Sequence, residues 1–280
     1  LEELAQYAEP ADKDIVAALS AKAQPDAVAS LAAEARTYIG VSLDEQVAWS
    51  RDEIALDRWR DAVQDCGVWV FKRSFKQADI AGFSLSSSKH PLIYLNNGQA
   101  KTRQIFTLFH ELGHLLFGAG HLGRTDPERY VELLYGEDRA VEIACNAFAG
   151  ELLVPDDDFR RHAKPGVPDE ETVAALAARY SVSREVILLD YRQRQWIDER
   201  VYDQRIAELR HGYPKASGSG GGDYYANQGA YLGAKYVTLA FSGYYRGDYD
   251  QDQLSEYLGL KAARVPGLEN WLDSRALARQ

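Results

Sequence analysis

The 280-residue chain contains no methionine and two cysteines, and no apolar run in it approaches the roughly 20 residues of a membrane span. Each shortage excludes something. Cys66 and Cys145 cannot make a disulfide framework, and neither belongs to a Cys pair with metal-ligand spacing. That usage points to a reducing cytoplasm. The opening "LEELAQYAEPADKDIVAAL" lacks the charged start and apolar stretch of a signal peptide. A chain that begins at Leu1 and has no methionine leads us to expect further residues ahead of Leu1 in the natural protein. Basic residues are also short, 32 Lys and Arg against 42 Asp and Glu, for a formal net charge of −10. Proteins that coat nucleic acid non-specifically need the opposite balance, although a local basic patch remains open.

What is present divides by pattern. Residues 1–50 read as a helical segment: "ADKDIVAALSAKAQPDAVASLAAEART" has helical spacing broken at Pro25. Ser42 is placed to cap a helix that runs on to Gly67. The period then changes. "VWVFKRSF", "IAGFSLSSS" and "PLIYLNN" read as three strands of a small mixed or antiparallel sheet. Helical spacing returns at "KTRQIFTLFHELGHLLFG", and a polar loop leads to a second helix, "RAVEIACNAFAGELLV", ended by Pro155. Residues 166–211 hold two more helices about the turn "YSVS", either plain packing or a helix-turn-helix that touches DNA. A Gly/Ser linker, residues 212–223, precedes a tyrosine-dense helical extension, residues 224–280. Its aromatics suit packing, or a platform on which single-stranded nucleic acid could stack.

The chemistry sits at "FHELGH". His110 and His114 stand one helical turn apart, so both imidazoles can face a single ion, while Glu111 lies about 100° round and reaches a ligand of that ion. Two neutral His nitrogens holding Zn2+, with a carboxylate to take a proton from water, is the His-Glu-x-x-His pattern of metalloproteases. The alternative is a pair of core histidines on an amphipathic helix. Against it stand Phe106, Leu108, Leu112, Leu115 and Leu116, which would bury a polar cluster that then needs a reason.

A catalytic zinc takes three protein ligands. The metzincin spacing fails, because Phe117 and Gly120 occupy the places of its Gly and His, and His121 comes one position late. Cys145 reads as a small residue filling a helix. Glu142, among small and apolar neighbours, is either solvent-facing or turned inward to a cation, with Asn146 one turn on to orient a ligand.

"FTLFHELGHLLFG" followed by "EIACNAFAGELLVP" resembles the ImmA/IrrE family of metallo-endopeptidases, in which the second helix reads E-x-x-A-N-x-F-A-x-x-L-L-x-P. Glu142, Asn146, Phe148, Ala149, Leu152, Leu153 and Pro155 match, and Cys145 and Val154 depart from the usual residues. The resemblance covers residues 91–155 well and the flanks in pattern only. It implies an α+β, zincin-like peptidase domain over residues 51–165, with His110 and His114 as zinc ligands, Glu142 as the third, and Glu111 as general base. It also implies a bacterial or phage regulator that cleaves a partner repressor of the helix-turn-helix type, switching on stress or mobile-element genes. The rival is a transcription regulator or antitoxin-like module that keeps the peptidase fold as a sensor. Tyr94, Asn146 and His121 are further candidates for contacts to substrate or to the ligands. "PLIYLNN" is expected at the sheet edge, where Leu92 to Leu95 would pair with an extended peptide.

Overall fold

Capping residues and apolar spacing account for the helices ahead of the sheet. The computed structural model describes residues 2–7, 13–75, 77, 79–86, 90–118, 122–124, 131, 134–212 and 223–277. The first helices are α1 (Glu2–Ala5), α2 (Ile15–Leu19), α3 (Val28–Ile39), α4 (Leu43–Val47) and α5 (Asp52–Asp65). Ser42 does cap a helix, its hydroxyl accepting from Glu45 N at 3.1 Å. That helix ends at Val47, however, and α5 starts afresh, so the single helix expected from Ser42 to Gly67 is two. The break lets Trp49 meet Trp59 edge-on at 5.2 Å. In one straight helix, residues ten apart would lie about 15 Å apart along the axis.

Among the described residues the sheet has four strands, β1 (Trp69–Arg73), β2 (Ile80–Leu85), β3 (Leu92–Asn96) and β4 (Leu122–Arg124), in the order β1-β3-β2-β4. β1 runs parallel to β3, while β2 is antiparallel to both β3 and β4. This corrects the placing of "PLIYLNN": β3 is interior, flanked by β1 and β2, and offers no free edge to a peptide. Its composition explains why. Ile93 and Leu95 are fully buried on one face, and Leu92 and Tyr94 pack into a second cluster on the other. A near-continuous apolar run is what a strand covered on both faces requires. β4 lies in the stretch that reads as a polar loop, being three residues long and too short to show a period.

After α6 (Lys101–Phe117) come α7 (Gly136–Leu153), α8 (Asp156–His162), α9 (Glu170–Tyr180), α10 (Arg184–Gln193) and α11 (Glu199–Gly212). α9 and α10 are joined through Ser181 and capped by Asp169 and Ser183. Only Arg184 and Gln193 of α10 are exposed, and Val186, Ile187, Leu188 and Tyr191 lie in the core. Little of that helix is free to read a groove. The stretch expected to be a linker falls mostly on residues 213–222, outside the described residues.

α12 (Tyr224–Leu232), α13 (Ala234–Arg246), α14 (Gln251–Leu258) and α15 (Val265–Leu277) close the face of the sheet turned away from α6. The tyrosines are mostly absorbed there. Tyr236 stands edge-on to Phe71 at 5.3 Å, and Phe71 stacks on Tyr94 at 5.3 Å. Among the described residues no helix is long and apolar enough to cross a membrane.

Arg60 ties the two layers together. Its buried guanidinium donates to Val70 O on β1 at 2.8 Å and, past the strand, to Ala230 O at 2.6 Å and Tyr231 O at 3.1 Å in the last turn of α12. A cation there also suits the negative end of that helix. Gly233, at φ +88°, leaves the room, since a Cβ would lie 2.7 Å from the guanidinium. Arg60→Leu should therefore cost on the order of 3 kcal/mol in urea unfolding, because one buried and two partly buried carbonyls lose a charged donor. The same variant should bind a hydrophobic dye more strongly as the aromatic face loosens. An unchanged urea midpoint would show that the layer is held by apolar packing alone.

Candidate metal centre

The centre is assembled from two helices whose sequences each supply one face. On α6, His110, Gly113 and His114 share a side, as positions three and four apart do, and the helix is buried from Gln104 to Leu116. On α7, Glu142, Cys145, Asn146 and Ala149 share a side in the same way. The helices meet where Gly113 faces Cys145: a Cβ at Gly113 would stand 3.2 Å from both Cys145 Cα and Sγ. His110 and His114 flank Gly113, and Glu142 lies one turn before Cys145, so this contact brings the three polar side chains together.

His110 Nε2 and His114 Nε2 are 3.0 Å apart. One Glu142 oxygen lies 3.4 Å from His110 Nε2 and the other 3.2 Å from His114 Nε2. All three residues are almost wholly buried, at 4%, 0% and 1% exposure. Among the described residues this is the group of His, Cys, Asp or Glu whose ligand atoms converge closely enough to hold an ion. Tetrahedral zinc with bonds of about 2.0–2.1 Å needs ligand atoms about 3.3 Å from one another. The separations fit, and so does the donor set of two imidazoles and a carboxylate.

Electrostatics within the cluster follow from its burial. Burial alone would raise the Glu142 carboxyl, but hydrogen bonds from His110 and His114 and their positive charge hold it down at about 2. Burial would likewise lower His110, and the hydrogen bond to Glu142, with the charges of Glu111 and Glu142 and a contact from Asn146, overrules it and raises the imidazole. Burial pushes the Cys145 thiol well up, with the Glu142 and Glu111 carboxylates adding to the effect, which keeps it a small neutral residue.

The other candidates divide. Glu111 is fully buried beside the sheet, under Gly82 of β2, where a Cβ would stand 3.7 Å from Glu111 Cγ and 2.6 Å from Thr107 Cγ2. Gly82 in turn pairs with Gly123, so the sheet edge bordering Glu111 is β4. Asn146 touches His110. Tyr94 is not brought to the cluster: it lies between Phe71 and Phe83 on the face of the sheet packed against the C-terminal helices. His121 lies outside the described residues. Glu137 is exposed in the first turn of α7, and Glu151 accepts from Asp156 N at 3.2 Å two turns beyond Glu142. Glu151 also lines a groove of about 270 Å³ with Asp190 and Arg194, away from the histidines. Gly82 and Gly113 carry no mark in the sequence, where a glycine within a strand or helix shows only as a locally unfavourable residue.

Residues 63–190 match the family model described as the IrrE N-terminal-like domain, Peptidase M78. Residues 63–190 are thus similar to a metallopeptidase-family domain, and the His-His-Glu cluster lies within that stretch. No curated protein matches the chain.

Because the helix contact at Gly113 sets the spacing of the three donors, Gly113→Val should separate α6 from α7 and lower metal content several-fold. Gly150, also on α7, has open space around it, with nothing within 4 Å of the position a Cβ would take. Gly150→Ala should leave metal content unchanged and add about 0.5–1 kcal/mol of stability through helix propensity. Metal analysis of the two purified variants, side by side, checks both. Full metal in Gly113→Val would mean that the contact does not control the centre.

Proposed function

We propose that the protein is a zinc-dependent, site-specific endopeptidase that acts on a partner protein. The observation that carries this reading is the buried convergence of His110, His114 and Glu142 next to Glu111, inside a domain of a metallopeptidase family. His110 and His114 would hold zinc through Nε2, and Glu142 would supply the third ligand. Bound zinc supplies Lewis acidity, polarising the scissile carbonyl and making a water acidic near neutral pH. Glu111 would act as the general base, taking a proton from the attacking water and passing it to the departing amine. Asn146 holds the His110 ring in register. Burial serves the chemistry by strengthening each of these interactions.

The substrate enters this reading as a helix-turn-helix repressor, cleaved to switch on stress or mobile-element genes. Its scissile segment would lie extended along β4, the edge strand among the described residues and the one that borders Glu111, since a sheet edge accepts a strand by main-chain pairing.

Glu111→Gln should retain close to one zinc per chain and lose cleavage of a candidate repressor by at least two orders of magnitude, because the base alone has been removed. Glu142→Gln should lose the zinc, whereas Glu137→Ala and Glu151→Ala should keep it. Metal analysis reads the second set without any substrate. Wild-type regulation in cells carrying Glu111→Gln would instead favour a binding module that uses the fold as a sensor.

A further inference from the structure

The groove that Glu151 shares with Asp190 and Arg194 plays no part in the metal chemistry, and its charges do not balance. Four helix ends and faces meet around its volume of about 270 Å³. Val28 and Ala29 at the start of α3, with Ala147 on α7, make an apolar wall. The polar wall is Glu151 near the end of α7, Asp156 opening α8, and Asp190 with Arg194 at the end of α10.

The ion pairs inside it can be followed atom by atom. Arg194 Nε donates to Asp156 Oδ1 at 2.8 Å, and Arg194 Nη1 donates to Asp190 Oδ1 at 2.7 Å. The other oxygen of Asp156 accepts from Arg160 Nε at 2.7 Å. Glu151 accepts from the backbone N–H of Asp156 at 3.2 Å, and among the described residues no cation touches it. Asp190 is 6% exposed, and its Oδ2 has no hydrogen-bond partner among the described residues. Three carboxylates thus face two guanidiniums, with one negative charge in excess. The start of α3 adds about half a unit of positive charge, which does not cancel it. Burial, opposed by Arg194 and helped by the charges of Glu151 and Asp156, pushes the Asp190 carboxyl up to about 7. Burial also raises Glu151, against the hydrogen bond from Asp156. Both carboxylates are short of a cation.

We propose that this groove binds a primary ammonium on a short alkyl stem, either a small free amine or a lysine side chain of another protein. The ammonium sits between Glu151 and Asp190, where it supplies the missing charge and a donor for the Asp190 oxygen that lacks one. The stem lies on Val28, Ala29 and Ala147. A bare metal ion fits less well: among the described residues the oxygens of these acids do not converge as the donors of the metal centre do. The occupied groove rests on α7, the helix that carries Glu142.

The test titrates the full chain above neutral pH, where Asp190 is ionised, at constant ionic strength. The probes are n-butylamine and Nα-acetyl-lysine methylamide, with 1-butanol as the neutral control, read by calorimetry and thermal melting. Saturable binding of the amines with a rise in Tm is expected, and none of the alcohol. Glu151→Gln and Asp190→Asn should each weaken it about tenfold or more, with zinc content unchanged. Asp157→Asn removes an exposed acid outside the groove and should change the affinity less than twofold. Tighter binding of the blocked lysine would identify a protein side chain as the source, and the reverse order a small amine. Absence of saturable amine binding overturns the proposal, as does equal affinity for the alcohol. So does a Glu151→Gln affinity within twofold of wild type, or an equal loss in Asp157→Asn, which would assign the effect to overall charge. Glu151 is a partly exposed position, so that variant decides the matter even if Asp190→Asn fails to fold.

Discussion

The close approach of α6 and α7 at Gly113 and Cys145 is the constraint on which the rest of the architecture turns. Metal–ligand bonds tolerate errors of a few tenths of an ångström, whereas packed helices usually lie 8–10 Å apart according to the side chains between them. A glycine opposite a small residue fixes the spacing near its lower limit with no side chain that can rearrange. The far end of α7 is held just as firmly. Arg36 Nη1 donates to Leu152 O at 2.7 Å, and Gln46 Nε2 donates to Leu153 O at 3.0 Å and Tyr180 O at 2.9 Å. These donors satisfy carbonyls that a helix end would otherwise leave without partners. Arg36 and Gln46 come from α3 and α4, so the segment ahead of the sheet takes part in positioning Glu142.

The sheet obeys a second constraint that follows from its position between two layers. Val70, Ile93 and Leu95 belong to the core around α6, and Trp69, Phe71, Leu92 and Tyr94 to the core under the C-terminal helices. Once both faces are covered, the sheet can meet a partner chain only at an edge. β1 is partly closed by Arg60, which occupies Val70 O. Among the described residues the remaining edge is β4, and the pairing of Gly82 with Gly123 places it beside Glu111. Burial of Tyr236 and Tyr249 thus bears on the Glu111 edge, because the C-terminal helices cover the opposite face of the sheet.

Local chemistry was legible in the sequence, and long-range pairing was not. "FHELGH" names its helix and face, and Glu142 stands out as an acid among small residues. The caps at Ser42 and Asp169 use hydroxyl and carboxylate groups that accept from backbone N–H donors three residues on. Three of the four strands show in the period of their apolar residues. The order β1-β3-β2-β4 does not, because β1 reaches β3 across β2 in sequence, and that pairing depends on which edge remains free after the β2–β3 pair forms. Tyr94 falls away from the metal cluster for the same reason: with an interior strand, alternate residues serve opposite cores, and the pattern does not say which core holds the metal. The break between α4 and α5 is invisible in the sequence because no Gly or Pro marks it between Val47 and Asp52.

The cluster itself bears on whether His110, His114 and Glu142 form a metal centre or a buried ion pair. An ion pair needs one imidazole and one carboxylate. Here a second imidazole points its Nε2 at the first from 3.0 Å, and the carboxylate spans both. If both rings carried a proton on these atoms, two N–H groups would be driven against each other, and if neither did, two lone pairs would. One proton between the rings relieves the clash but serves only two of the three groups. A cation at the shared point serves all three. Charge leads to the same end, for Glu142 and Glu111 are both buried among apolar residues and bring two negative charges to a site whose imidazoles are neutral when they act as ligands. A divalent ion balances that sum, and a single imidazolium does not.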